Sequence, residues 1–373
     1  MYIVFVAIKK KVYFIILAVF AFIAYTVLAA QPVPPETILT NNWFIRLSDD
    51  YDTEIHALSN FLIPFKLGKR FGYVENNGQL ILNREQGQTV SLSPEFWAEF
   101  DPAPQVLVIH DPASGAEITL ENPMAYPVFL DGRILLLSKD QTSLEEIDRE
   151  GNVLWRYDYE APLTCIDAAG GYTLTGTLDG MIDLLDGEGN SLFPSYAPGA
   201  SRIPVILGCR ISSDGTKIAI VSGIDKQRFL FLELYGNNDY RVTHHEFLAG
   251  EGFRREVQMA FIGNDTCVVF EQEAGIGIYD VKLRSTITLP LPGQIEGFPV
   301  RLEALDDEGG DGLFFYISSG STVKEKRLVA LKLPHKELVN IPFKSEYSFL
   351  ARREKVLFIG GGQTIASFTL GKR

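Results

Sequence analysis

The residues of this 373-residue chain that could do chemistry are few: five histidines, three cysteines and a set of loop aspartates and arginines. Of His56, His110, His244, His245 and His335, only His244 and His245 adjoin. Neighbours in a strand point to opposite faces, so those two do not ligate one metal from a strand. Cys165, Cys209 and Cys267 lack the Cys-x-x-Cys spacing of a zinc site. Cys165 and Cys209 stand 44 residues apart, at one position of two successive repeats. Buried free thiols are the expectation, because neighbouring units seldom bring two α-carbons within about 7 Å. Asp167, Asp179, Asp214 and Asp225 would hold calcium if their oxygens converged, but aspartate is also a default turn residue. The segment LDGEGN (185 to 190) has part of a calcium-loop spacing without the closing glutamate. No P-loop, dinucleotide fingerprint or nucleophile elbow occurs. The expectation is no catalytic residue, no metal and no cofactor.

Binding is the chemistry that remains. Arg202, Asp225, Lys226, Arg228, Phe253, Arg254 and Arg255 fall in connections that repeat position assigns to one end of the fold. Arginines beside an aromatic side chain are good anchors for a protein partner. Trp97, with Phe96 and Phe100, sits in what reads as an inserted segment, Asn77 to Pro104, where exposed aromatics would mark a second contact. In the same segment, SPEFWAEFD (93 to 101) reads as at most one short helix opened by a Ser cap.

Beyond residue 60 the chain is a succession of short runs of Val, Ile, Leu, Phe and Tyr broken by Gly, Asn, Asp and Pro. That is a strand-and-turn pattern. A strand, an acidic or Gly-containing turn and a second strand recur at 106–120, 143–157, 181–193, 228–242, 275–289 and 327–341, with a half-unit at 364–370. A further strand pair precedes each copy, and two pairs make a four-stranded propeller blade. Seven copies over residues 60–373 give about 45 residues each, within the range of propeller repeats. The expected fold is therefore all-β: a seven-bladed β-propeller of four-stranded antiparallel blades. Trp43 to Leu47 (WFIRL) is a candidate latch strand that completes the last blade.

Hydrophobic residues are 46% of the chain and charged residues 22%, enough to bury a core and too ordered in pattern for disorder. A net charge of -13 argues against general binding to nucleic acid phosphates. Val12 to Ala30 is 19 residues without a charge, preceded by Lys9, Lys10 and Lys11. By length and the positive-inside rule it reads as a single-pass N-terminal transmembrane helix with the N-terminus cytoplasmic. The competing reading is a cleaved signal peptide, with Val27 and Ala29 before the cut. The domains expected are 1–30 as anchor or uncleaved signal, 31–59 as spacer with latch strand, and 60–373 as the propeller.

Two segments carry a family resemblance. SSDGTKIAIVSG (212 to 223) resembles the inner hairpin of a WD40-type blade, and EGNVLWRYDY (150 to 159) resembles the outer turn of a quinoprotein-type repeat. The run from Leu163 to Phe231 is similar to uncharacterised membrane-anchored propellers of spirochaete bacteria. The resemblance implies a bacterial membrane-anchored WD40-like or quinoprotein-like (PQQ-like) β-propeller, held in the inner membrane with the ring in the periplasm. These motifs specify a fold and carry no function; with no catalytic or metal constellation and with arginines on the loops, the expected role is a non-catalytic scaffold for envelope protein partners. The alternative is a periplasmic propeller enzyme or small-ligand sensor, quinoprotein-like or calcium-dependent and hydrolase-like, using the central funnel. Quinoprotein rings carry tryptophan repeats and often adjacent cysteines, whereas this chain has only Trp43, Trp97 and Trp155 and no adjacent pair.

Overall fold

A computed structural model describes residues 14–26, 37–47, 53–54, 61–102, 104–197, 201–235, 239–250, 252–291, 301–306, 312–320, 322–333 and 336–372. They divide into two units, residues 1–39 with 370–373 and residues 40–369. In the first, helix α1 covers residues 14–26, and the hydroxyl of Thr26 in its last turn donates to the carbonyls of Phe22 and Ile23. At 1.5 Å per residue the described residues of α1 span about 20 Å, against about 30 Å of hydrocarbon. Among the described residues no helix is long and apolar enough to cross a membrane. This corrects the single-pass anchor, and with it the inner-membrane and periplasmic assignment built on it. Lys9, Lys10, Lys11 and the spacer at 31–35 lie outside the described residues.

The second unit is a ring of eight four-stranded antiparallel sheets. Two strands come before the first inner strand, β1 (Thr37–Arg46) and β2 (Thr53–Glu54). Blade 1 comprises β3 (Leu62–Leu67), β4 (Arg70–Glu75) and β5 (Leu80–Glu85), with β2 at its outer edge. Blade 2 is β6 (Thr89–Leu92), β7 (Trp97–Phe100), β8 (Val106–His110) and β9 (Glu117–Glu121). Blade 3 is β10 (Ala125–Leu130), β11 (Arg133–Ser138), β12 (Ser143–Ile147) and β13 (Val153–Asp158), and blade 4 is β14 (Leu163–Ala169), β15 (Tyr172–Thr177), β16 (Met181–Leu185) and β17 (Ser195–Tyr196). Blade 5 is β18 (Ile206–Ile211), β19 (Lys217–Ser222), β20 (Arg228–Leu234) and β21 (Tyr240–Phe247), and blade 6 is β22 (Met259–Ile262), β23 (Cys267–Gln272), β24 (Gly275–Asp280) and β25 (Ser285–Leu289). Blade 7 is β26 (Arg301–Asp306), β27 (Gly312–Ser319), β28 (Glu325–Lys332) and β29 (Lys336–Lys344). Blade 8 is β30 (Ser348–Arg353), β31 (Val356–Gly361) and β32 (Thr364–Lys372), with β1 as its outer strand.

Eight blades correct the expected seven. The expected insertion, Asn77 to Pro104, contains β5, β6 and β7, the third strand of blade 1 and the first half of blade 2. The first repeat had joined the inner pair of one blade to the outer pair of the next. SPEFWAEFD is likewise no helix: the Ser93 hydroxyl accepts from the backbone N–H of Phe96 at 3.0 Å and tightens the turn into strand β7. Blade 1 also enters the ring in the opposite sense. Arg353, at the end of β30, donates to the Leu62 carbonyl at the start of β3 (3.1 Å), and a Cβ on Gly68, past the end of β3, would lie 3.2 Å from the ring of Tyr347, before β30. Those two inner strands are therefore antiparallel, and a repeat counted in one direction misses the blade.

Second strands such as β27, GLFFYISS, are buried along their whole length because blades cover both faces, so they read as unbroken apolar runs. The apolar clusters accordingly lie between blades, one example joining Leu174 and Ile182 of blade 4 to Cys209 and Ile220 of blade 5. Inner strands are tied to the next blade by side chains: Ser91 donates to the Pro127 carbonyl, Thr164 to Ile206 and Arg210 to Met259.

Candidate functional site

Three stretches of connection meet beside blades 5 and 6: residues 201–205, the 223–227 turn between β19 and β20, and residues 248–250 with 252–258. Backbone bonds draw them together, from Gly223 N–H to the Val205 carbonyl (2.9 Å) and from Leu248 N–H to the Gln227 carbonyl (2.9 Å). The Gln227 amide, buried, clamps the next connection by donating to the Phe253 carbonyl (3.2 Å) and accepting its N–H (3.4 Å). The Asp225 carboxylate accepts the Ser201 hydroxyl and the Arg202 N–H. The Ser201 bond first, then the backbone N–H groups, hold the Asp225 carboxyl below its ordinary range. Glu273 accepts the Gly252 N–H at 2.8 Å. Repeat position thus brings Arg202, Asp225, Lys226, Phe253, Arg254 and Arg255 to one loop cluster.

Their roles differ from the expected set of exposed anchors. Arg255 forms a two-point ion pair with Glu271 (2.7 and 2.6 Å), its side chain 20% exposed and that of Glu271 0%. Phe253 is 3% exposed, packed with Val257 and Phe229, and the Arg255 guanidinium stacks on its ring at 4.2 Å. Arg228 lies over the ring of Phe247 at 4.5 Å. Arg202, Lys226 and Arg254 are exposed, and their side chains form no ion pair among the described residues. Trp97 corrects the other expectation. It is 4% exposed, stacked on His110 at 4.0 Å and packed against Phe71, while Phe96 and Phe100 face Phe129 and Tyr126. These aromatics pack blade 2 against its neighbours, Trp97 on blade 1 and Phe96 and Phe100 on blade 3, because their segment is part of a blade and not an inserted loop.

The remaining candidates close local structure. Asp186 accepts the N–H groups of Glu188 and Asn190, both at 2.9 Å, within its own turn. Burial works against Asp214, yet hydrogen bonds from Ser212 and Thr216 hold it well below the usual carboxylate range. Asp167 accepts the Ile211 N–H at 2.9 Å, and burial raises its carboxyl. His244 stacks on Tyr279, burial lowering its pKa, and His110 bonds Glu117 at 3.0 Å. His56 and His335 lie outside the described residues. Among the described residues no three His, Cys, Asp or Glu side chains are grouped to hold a metal ion.

Sequence reasoning passed over Glu303 on inner strand β26. The signal was a lone acid in the alternation of RLEALD, too common to single out. Burial pushes its carboxyl up to about 7, with the Arg352 guanidinium of the next inner strand pulling the other way. The ordinary value is 4.5, so the folded state holds this proton more tightly than the unfolded chain does. That contribution is present below about 4.5 and is lost as pH climbs through 7. Glu303→Gln is expected to flatten this part of the stability profile, measured as the urea midpoint between pH 5 and 8. An unchanged slope would assign it to other groups.

The ring is similar to known structures. BamB from Moraxella catarrhalis aligns with a TM-score of 0.58 at 12% identity, over 89% of this chain and 100% of that one. The dihydro-heme d1 dehydrogenase NirN, solved in complex with DHE, aligns with a TM-score of 0.52 at 13% identity over 74% of this chain, which spans 60% of that one. At such identities the likeness is one of fold. An uncharacterized protein of Treponema pallidum (strain Nichols) is 27% identical over 303 residues, 79% of each chain. The profile of a family described as beta-propeller protein matches residues 6–372, and with the eight-bladed ring in place the chain belongs to that family.

Proposed function

We propose that this propeller is a non-catalytic scaffold that captures a protein partner through the loop cluster beside blades 5 and 6. One observation carries the reading: Arg202, Lys226 and Arg254 stand exposed and unpaired among the described residues, on connections clamped from beneath by Asp225, Gln227 and the Arg255–Glu271 pair. Two nearby carboxylates, Asp225 and Glu273, are turned onto backbone N–H groups. Clamped loops lose little freedom on binding, and three cations on a chain of net charge -13 suit an acidic segment. The partner expected is a protein with an acidic surface stretch.

The test is crosslinking in cells followed by capture of the identified partner with purified protein. Arg202→Ala/Lys226→Ala/Arg254→Ala is expected to weaken capture at least tenfold, and added salt to weaken the unsubstituted protein in the same direction. The three side chains touch no core, so the melting temperature should be unchanged. Undiminished capture by the triple variant would remove this face from the function.

A further inference from the structure

Blades 4 and 5 are joined at their inner strands by three side-chain contacts. Thr164 donates to the Ile206 carbonyl at 2.6 Å and Asp167 accepts the Ile211 N–H at 2.9 Å. Between them, the Sγ atoms of Cys165 and Cys209 are 2.9 Å apart. The close approach depends on Gly176. A Cβ there would lie 2.5 Å from Cγ2 of Ile206 and 2.7 Å from Sγ of Cys165. A sulfur–sulfur bond needs about 2.05 Å, so the pair is less than an ångström from bonding distance. The third cysteine, Cys267, is in a separate apolar cluster, between blades 6 and 7.

We propose that Cys165 and Cys209 are a bridging pair that forms a disulfide across blades 4 and 5 when the chain folds in the presence of a small-molecule disulfide. The thiolate of one cysteine attacks oxidised glutathione and releases one glutathione thiolate, leaving a mixed disulfide. The second cysteine attacks the protein sulfur and releases the other glutathione. Two protein thiols lose two protons and two electrons, one S–S bond forms, and the S–S bond of glutathione is reduced to two thiols. In the closed ring both cysteines are buried. The Cys165 contact, together with burial, holds the Cys209 thiol in its protonated form, so the folded dithiol is slow to react. Exchange therefore belongs to the stage before blades 4 and 5 pack. The bridge closes a long loop, and its main effect is to restrict the unfolded chain.

The full chain would be refolded with oxidised and reduced glutathione, unfolded, alkylated, weighed intact and mapped by peptide. One alkylated residue, Cys267, and a peptide linking Cys165 to Cys209 are expected. The bridged protein should melt roughly 5 °C above the reduced protein, a gap absent in Cys209→Ser. Cys267→Ser should form the bridge as readily as the unsubstituted chain. Three alkylated cysteines after refolding with oxidised glutathione, or a bridge that includes Cys267, would overturn the proposal.

Discussion

Arg255→Ala should destabilise the ring by about 3–5 kcal/mol, the range for removing one partner of a buried ion pair. Glu271 lies on β23 with its side chain 0% exposed, and both its oxygens bind the guanidinium. Truncating Arg255 takes the two-point guanidinium contact from that buried carboxylate and also strips the cation from the face of Phe253. Urea unfolding followed by tryptophan fluorescence would measure the loss. A double variant with Glu271→Ala should recover part of it, because the desolvated charge goes with its partner. A loss below about 1 kcal/mol in the single variant would mean that water reaches the pair. The outcome also separates two roles that the sequence had merged: Arg254→Ala, one residue away and exposed, should leave stability unchanged and act on capture alone.

Trp43→Ala should cost about 3 kcal/mol, less than a fully buried tryptophan because the ring is only half-buried. Trp43 lies on β1, which supplies the outer strand of blade 8, and its ring packs 5.9 Å from Phe358. Its indole N–H donates at 2.7 Å to the Asn76 carbonyl, in the β4–β5 turn of blade 1. One side chain thus joins the first blade to the last. Asn42 beside it bonds Ser367 and Thr369 of β32. The variant should unfold at lower denaturant and show faster hydrogen exchange in β32 than in β19, because the loss falls on the seam of the ring. Uniform exchange across both strands would place closure elsewhere.

The blades were legible from residue 106 onward because each has an apolar strand, a turn of Asp, Gly or Asn, and another apolar strand. Those are local preferences, readable without knowing what packs on what. The inner pair of blade 1 was legible but its outer half was not, since its outer strand, β2, comes from upstream and β3 runs against β30. No local signal distinguishes such a blade from a blade with an insertion. Trp97 shows the same limit: beside Pro94 and Glu95 its strand looked like a loop, and its stack on His110 and its packing against Phe71 of blade 1 make it core. Arg254 and Arg255 are identical in type and adjacent, yet one is exposed and the other holds Glu271, a partner 16 residues further along the chain.

By itself the sequence determined that this chain is an acidic all-β propeller built of four-stranded blades, because strand alternation and turn residues act over a few positions. The number of blades, the antiparallel seam, the division of the loop arginines into clamps and free cations, and the meeting of Cys165 with Cys209 were decided by tertiary structure. Each of these depends on which blade packs against which, and that contact energy is spread over residues far apart in the chain.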